Sequence, residues 1–294
     1  MTARYVIVTA AKDEEALIGE VIERVVAQTV HPVAWIIVDD GSRDRTAAIV
    51  REAVARHPWI RLSSGGERGG RNFGSQYKAI QAGYAAIRSL EFEHLAVQDA
   101  DQAPGQPDYY EALLAFLEAT PGAGMVSGVV HERERGDWAP RGSNAPESTA
   151  GSTVFRRACF EDMGGYVPLV HGGSDWLAQL RARMAGWTVT TLPDLRLLHY
   201  RPSSSAGGVW RGRFREGVMD ASFGSHPLFE LLKCARRLTM RPLVVGAFLR
   251  FAGYLFESLP RGARVLTPAE TAFLRSEQVR KMRDWARLGA RGRP

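Results

Sequence analysis

Apolar positions along the first half of the chain alternate between short continuous runs and helically spaced sets. Residues 4–9 (RYVIVT) read as a buried strand. Leu17, Ile18, Val21, Ile22, Val25 and Val26 then recur at helical spacing, which predicts a helix over 14–28 with Asp13 as its N-cap. The same reasoning predicts strands at 34–39 (AWIIVD), 60–64, 94–99 (HLAVQD) and 125–130. Helices are predicted at 44–56, 72–90 and 107–120, the last opened by Pro107. Repeated strand–helix alternation implies a Rossmann-like α/β fold, a mostly parallel sheet flanked by helices. Ligands of such sheets bind beyond the carboxyl ends of the strands, so chemistry is sought there.

The periodicity fails over residues 131–148 (HERERGDWAPRGSNAPES), which read as a functional lid or a disordered loop, with Trp138 on the acceptor side. A strand at 150–157, helices at 158–164 and 174–185, and strands at 187–192 and 195–200 follow, with Gly186 stopping the second helix. Residues 203–208 are Ser/Gly-rich and read as mobile. From residue 226 the pattern is helical, over 228–238, 242–259 and 268–288. The middle segment is very apolar but contains Arg250 and Glu257. It falls short of the ~20 apolar residues that a membrane span needs, and reads as an interfacial or core helix.

Composition narrows the class. The 294 residues are 45% hydrophobic and 24% charged, which excludes a disordered chain or a fibrous repeat. Cys159 and Cys234 are far apart and form no CxxC, which argues against a zinc ribbon or a disulfide frame and fits a reducing cytoplasm. The first residues run straight into a strand, with no signal-peptide pattern. Net charge is +6, unevenly spread. Residues 226–294 hold 14 basic and 5 acidic groups, whereas residues 1–225 hold 24 and 27. A basic tail of this kind meets nucleic acid, anionic lipid or an acidic partner. Few aromatics interleave with its arginines and no nucleic-acid module is evident, so no nucleic-acid partner is expected.

Two acidic turns carry the candidate chemistry. Asp39-Asp40-Gly41-Ser42 ends the second strand, where Asp, Gly and Ser also suit an ordinary turn. Carboxylates there can accept hydrogen bonds from a nucleobase or a ribose. Asp99-Ala100-Asp101 ends the fourth strand, and alternate carboxylates suit a hard divalent cation that also touches substrate phosphates. The Gly-rich run 65–70 lacks the GxGxxG spacing and follows the wrong strand, which excludes a nicotinamide dehydrogenase. No P-loop is present.

Taken together, these motifs resemble the family-2 inverting glycosyltransferases, nucleotide-diphospho-sugar transferases of GT-A fold. The similarity runs over residues 4–201 and rests on Thr9-Ala10-Ala11…Glu14, Val38-Asp39-Asp40-Gly41-Ser42, Arg71-Asn72…Gly74, Asp99-Ala100-Asp101, Gly164-Gly165-Tyr166…Ser174-Asp175-Trp176 and His199. The sequence departs from the family pattern at Asp13 (usually Asn), Ser174 (usually Glu) and Gln102 (often a third acid).

The resemblance implies a catalytic domain over 1–225, with the nucleotide-sugar side about 1–102 and the acceptor side about 103–225. Residues 226–294 form a basic helical extension, membrane- or oligomer-associated. Donor contacts are expected from Ala10, Ala11, Glu14, Asp39, Asp40, Arg71, Asp99, Ala100, Asp101 and Arg201. Mg²⁺ or Mn²⁺ is expected on Asp99, Asp101 and His199, and Asp175 is the expected general base. Asp175 can equally serve as a helix N-cap, Arg71 as a cap on a solvated turn and His199 as a structural residue.

The implied partners are a nucleotide diphosphate sugar, a saccharide or lipid-linked acceptor, an anionic membrane surface and a second copy of the chain. The implied setting is the cytoplasmic face of the plasma membrane, in polysaccharide or glycolipid assembly. Two alternatives stand: a polyprenyl-phosphate glycosyltransferase, whose anionic acceptor needs no base, and a non-catalytic glycan-binding scaffold.

Overall fold

Four strands form the parallel half of one sheet: β1 (Tyr5–Ala11), β2 (Ala34–Asp39), β3 (Ile60–Ser64) and β4 (His94–Val97), in the order β3-β2-β1-β4; β1, β2 and β4 are mostly apolar, whereas the edge strand β3 is half polar. Continuous apolar strands are what a sheet covered on both faces requires. Successive side chains point to opposite faces and so feed two cores. Tyr5, Ile7, Trp35 and Ile37 pack with α1 (Ile18–Val26), α2 (Thr46–Arg56) and α4 (Tyr109–Ala119). Val6, Val8, Ile36 and Val38 pack with α3 (Phe73–Ile87), α5 (Arg157–Asp162) and α6 (Ser174–Met184). Helix α3 approaches β1 closely because Gly83 has no side chain: a Cβ there would lie 2.6 Å from Val8 Cγ1.

This computed structural model describes residues 3–65, 73–134, 136–141, 145–169, 172–201, 208–238, 244–259 and 264–291. The chain forms two compact units, Met1–Pro202 and Ser203–Pro294.

The rest of the first unit's sheet departs from simple alternation. Strands β5 (Gln102–Pro104), β6 (Ala123–Glu134), β7 (Asp137–Pro140), β8 (Thr153–Arg156) and β9 (Thr188–His199) extend it as β4-β8-β6-β9-β5, with β7 paired to β6. Strand β8 is antiparallel to both neighbours, and β5 is antiparallel to β9. Two expectations change here. Part of the 131–148 segment is a hairpin: His131–Glu134 continues β6 and pairs antiparallel with Asp137–Pro140. Its polar side chains hid the strand because neither face belongs to the core. The strands expected at 187–192 and 195–200 are one strand. Its pairing with β6 jumps from Leu192 at Gly128 to Arg196 at Val129, so Pro193, Asp194 and Leu195 are taken up in a bulge. The short strand β5 carried no sequence signal.

The second unit is helical: α7 (Val209–Ser222), α8 (Pro227–Arg236), α9 (Val245–Ser258) and α10 (Pro268–Arg291). Helix α7 was not anticipated, and most of the 203–208 stretch lies outside the described residues. Helices α7 and α9 meet at glycines. A Cβ on Gly217 would fall on the Arg250 carbonyl, and one on Gly253 on the Phe214 carbonyl. The polar residue inside the apolar segment has a packing role: Arg250 is buried and ion-pairs with Glu216, Asp220 and Glu230. Helix α10 opens with a capping box, in which Thr267 N donates to Glu270 Oε2 (2.7 Å) and Glu270 N to Thr267 Oγ1 (3.3 Å). Among the described residues no helix is long and apolar enough to cross a membrane.

Removing one partner from a buried ion cluster strands the others' charge in a poorly solvated place. Arg250→Met should therefore destabilise the second unit by about 3–5 kcal/mol. Urea unfolding followed by circular dichroism measures this, and an unchanged midpoint would contradict the structural role of Arg250.

Candidate active site

The carboxyl ends of β1 and β2 lie side by side, with Ala10 opposite Val38 and Ala11 opposite Asp39. The loops leaving them are stitched together. Asp13 N donates to Ser42 Oγ (3.0 Å) and Arg43 N to Asp13 Oδ1 (2.8 Å). Glu14 N donates to Thr46 Oγ1 (2.7 Å), Glu15 N to Asp44 Oδ2 (3.0 Å) and Arg45 N to Glu15 Oε2 (3.0 Å). Partial burial acts to raise the Asp44 carboxyl pKa. The Thr46 hydroxyl and the amides of Glu15 and Thr46 outweigh it and hold the group below the usual carboxylate value.

This bracing explains a departure from the expected helix. Asp13 does not cap α1; its φ of 53° and its bond to Arg43 commit it to the loop, and the helix starts at Ile18. The expected donor residues of β2 stand on the braced turn. Asp39 Oδ1 accepts from Ser42 N (2.9 Å), and Gly41 takes the φ of 75° that favours glycine. Asp40 is buried, with Lys12 Nζ 3.7 Å from its carboxylate.

Beyond β4, glutamines fix the second acidic turn. Buried Gln98 donates to the carbonyls of Asp99 (3.0 Å) and Gln102 (2.6 Å) and accepts from the Tyr110 hydroxyl (2.7 Å). Gln102, where the family often has an acid, accepts from Ser152 N (2.8 Å) and Ser152 Oγ (3.1 Å). Ser152 Oγ in turn accepts from Asp99 N (2.9 Å). A Cβ on Gly151 would collide with the Gln102 amide, so this position belongs to glycine. Ala100 is buried between the two acids, and Asp99 Oδ1 accepts from Gln76 Nε2 of α3 (3.0 Å).

Three distant elements complete the cluster. Gln102 pairs with His199 at the end of β9. The His199 ring lies between Glu132 Oε1 at Nδ1 (3.1 Å) and Asp101 Oδ2 at Nε2 (3.7 Å). Burial acts to lower the imidazole pKa, but the two carboxylates outweigh it and raise it. Asp175, at the start of α6, makes no capping bond; Gly173 is the N-cap. Its Oδ1 instead accepts from the Tyr77 hydroxyl of α3 (2.6 Å). The Asp175 side chain is solvent-exposed, yet surrounding protein desolvates its carboxyl and raises the pKa, against the pull of Tyr77 and Arg141. Arg201 forms a two-pronged ion pair with buried Glu14, at 3.0 and 2.6 Å. Arg71 lies outside the described residues.

The field in this cluster is strongly negative. Burial first, then the charges of Asp101, Asp175 and Glu14, push the Asp99 carboxyl far above the usual range, with His199 opposing. Carboxylates gathered this way call for a cation. Among the described residues no three His, Cys, Asp or Glu side chains are placed to enclose a metal ion by themselves. Asp99, Asp101 and His199, expected together on a metal, therefore do not form a three-ligand site by themselves. The contact of His199 Nδ1 with Glu132 is the kind of outer-shell bond that orients a metal-ligating histidine. Sequence reasoning missed Tyr77, Gln76, Glu132 and Arg141. The first looked like an apolar helix position, and the last two sat in the aperiodic 131–148 segment.

The raised Asp99 pKa fixes the sign of a stability effect. A carboxyl whose folded pKa lies above its unfolded value destabilises the fold once pH rises past the unfolded value. Asp99→Asn should therefore raise the melting temperature of the metal-free protein at neutral pH. The gain should vanish as pH falls below about 3.9, where the unfolded carboxyl is also protonated. Calorimetry in chelator across pH tests this; an unchanged or lower melting temperature at neutral pH would refute the repulsion.

Comparison with known proteins places this geometry. Residues 3–145 match the family described as glycosyltransferase-like family 2. No curated protein sequence matches the chain. Among solved structures, the mannosyltransferase PcManGT of Pyrobaculum calidifontis, in complex with GDP-Man and Mn²⁺, is similar at TM-score 0.56 and 18% identity, over 99% of this chain and 85% of that one. Staphylococcus aureus TarS 1–349 in complex with UDP-GlcNAc is similar at TM-score 0.53 and 14% identity, over 92% and 78%. GalNAc-T7 with UDP, GalNAc and Mn²⁺ is similar at TM-score 0.55 and 14% identity, over 75% and 50%. At such identities the structures speak for the fold, and the family match speaks for the chemistry. The protein is a glycosyltransferase of GT-A fold whose residues 3–145, just under half of the chain, match glycosyltransferase-like family 2.

Proposed function

We propose that the protein transfers a sugar from a nucleotide diphosphate donor to an acceptor hydroxyl, with inversion at the anomeric carbon. The observation that carries this reading is that adjacent α3 residues hold Asp175 and the Asp99-Ala100-Asp101 turn side by side: Gln76 donates to Asp99 (3.0 Å) and Tyr77 to Asp175 (2.6 Å). In the proposal Asp39 and Asp40 hold the nucleoside, with Ala10 and Ala11 beneath it. Glu14 and Arg201, each fixed by the other, border the donor. Asp99 and Asp101, with His199, would hold Mg²⁺ or Mn²⁺. When bound, such an ion supplies positive charge against the departing diphosphate.

Asp175 takes the proton of the acceptor hydroxyl. The acceptor oxygen bonds to the anomeric carbon as the bond to the diphosphate breaks, and the bonding pair leaves with the diphosphate. Tyr77 keeps the Asp175 carboxylate in one orientation. The chemistry suits a saccharide or lipid-linked acceptor in cell-surface polysaccharide or glycolipid assembly at the cytoplasmic membrane face. The Mn²⁺ and nucleotide sugars named for the similar structures support the donor side of this reading.

Thermal-shift measurements against UDP, GDP, dTDP and CDP, with and without Mn²⁺, test the donor site. Metal-dependent stabilisation by one nucleotide is expected, and none by any of them would count against it. Asp101→Asn should remove that metal dependence. Asp175→Asn should leave donor binding intact while transfer falls about 10²–10⁴-fold. Near wild-type transfer in that variant would discard Asp175 as the base.

A further inference from the structure

The second unit carries nearly all of the molecule's exposed apolar side chains. Of the fourteen large hydrophobics exposed among the described residues, twelve lie in that unit, which points to a surface with a partner. The most exposed of them are on α9. This helix buries Gly246, Ala247, Arg250, Gly253 and Tyr254 along one face. Opposite them lie Val245, Phe248, Leu255 and Phe256, with Leu259 just past the last turn; Phe248 and Phe256 are 69% and 64% exposed.

We propose that this outer face of α9 docks onto an anionic lipid bilayer, with the helix lying in the plane of the headgroups. Three observations select that occupant. First, the helix has 14 residues, or roughly 21 Å at 1.5 Å per residue, too short to cross a hydrocarbon core of ~30 Å. Second, the region around it is basic: residues 226–294 hold 14 basic and 5 acidic groups, exposed Arg264 follows the helix, and Glu257 is the only acid over 244–265. An apolar face on a basic unit is what an anionic interface attracts. Third, Arg250, the only basic residue within the helix, points inward to its carboxylates and adds no charge to the outer face. A second copy on the same face would set two net-basic units against each other, which disfavours self-association. The proposal does not rest on the transfer reaction.

Co-sedimentation of the full chain with vesicles tests it. The protein should pellet with phosphatidylcholine–phosphatidylglycerol vesicles, less with phosphatidylcholine alone, and less again in high salt. Phe248→Ser/Phe256→Ser should weaken binding about tenfold or more, with an unchanged thermal unfolding curve. Arg264→Glu should weaken binding to the anionic vesicles only. The proposal fails if the wild-type protein stays in the supernatant with anionic vesicles, or if the double serine variant binds as the wild type does. It also fails if sedimentation velocity shows a dimer that the double variant abolishes, since the face would then join two copies.

Discussion

Carboxylates gathered at the open end of a buried sheet repel one another, and much of the first unit is arranged so that they stay together. Asp99, Asp101, Asp175 and Glu14 share one negative field, countered within the protein by His199 and Arg201. A chain free to relax would swing these groups into water. Hydrogen bonds from rigid elements hold Asp99 and Asp175 instead: Gln76 and Tyr77 both reach them from α3. The repulsion left between them is what the proposed cation would offset.

Holding the carboxylates requires rigid turns, and the turns are made rigid by one another. The β1 and β2 loops exchange five side-chain to backbone bonds, so Asp39 and Asp40 stand on a braced platform. The Asp99 turn is braced through Gln98, Gln102 and Ser152. Gln102 shows the logic clearly. An acid there would add to the repulsion, whereas the amide ties the turn to the loop before β8.

The second unit handles buried charge in the opposite sense. There the buried Arg250 guanidinium joins three carboxylates on α7 and α8, which Arg213, Lys233 and Arg237 also pair, and the glycines between α7 and α9 let the backbones approach. Turning the one basic residue of α9 inward leaves its outward face apolar. The internal packing of the unit and the character of its surface are therefore one feature.

How much of this could be read from the chain alone follows from the range of each signal. Strands β1, β2 and β4 and the helices around them were legible because burial on both sheet faces writes a continuous apolar run, and burial on one helix face writes a 3.6-residue period. The Asp39-Asp40 and Asp99-Asp101 turns were legible because each is a short motif at a strand end. The β6–β7 hairpin was not, because its side chains face away from the core and leave no apolar record. Nor was the continuity of β9, because a bulge absorbs a proline that by itself reads as a break. Local pattern was enough for the strand–helix alternation, the two acidic turns and the basic tail. Only the tertiary structure decided that Asp175 bonds to Tyr77 rather than capping its helix, that His199 sits between Asp101 and Glu132, and that Glu14 and Arg201 hold each other. Each of these joins residues tens to hundreds of positions apart, and no local pattern encodes a contact made only when the sheet closes.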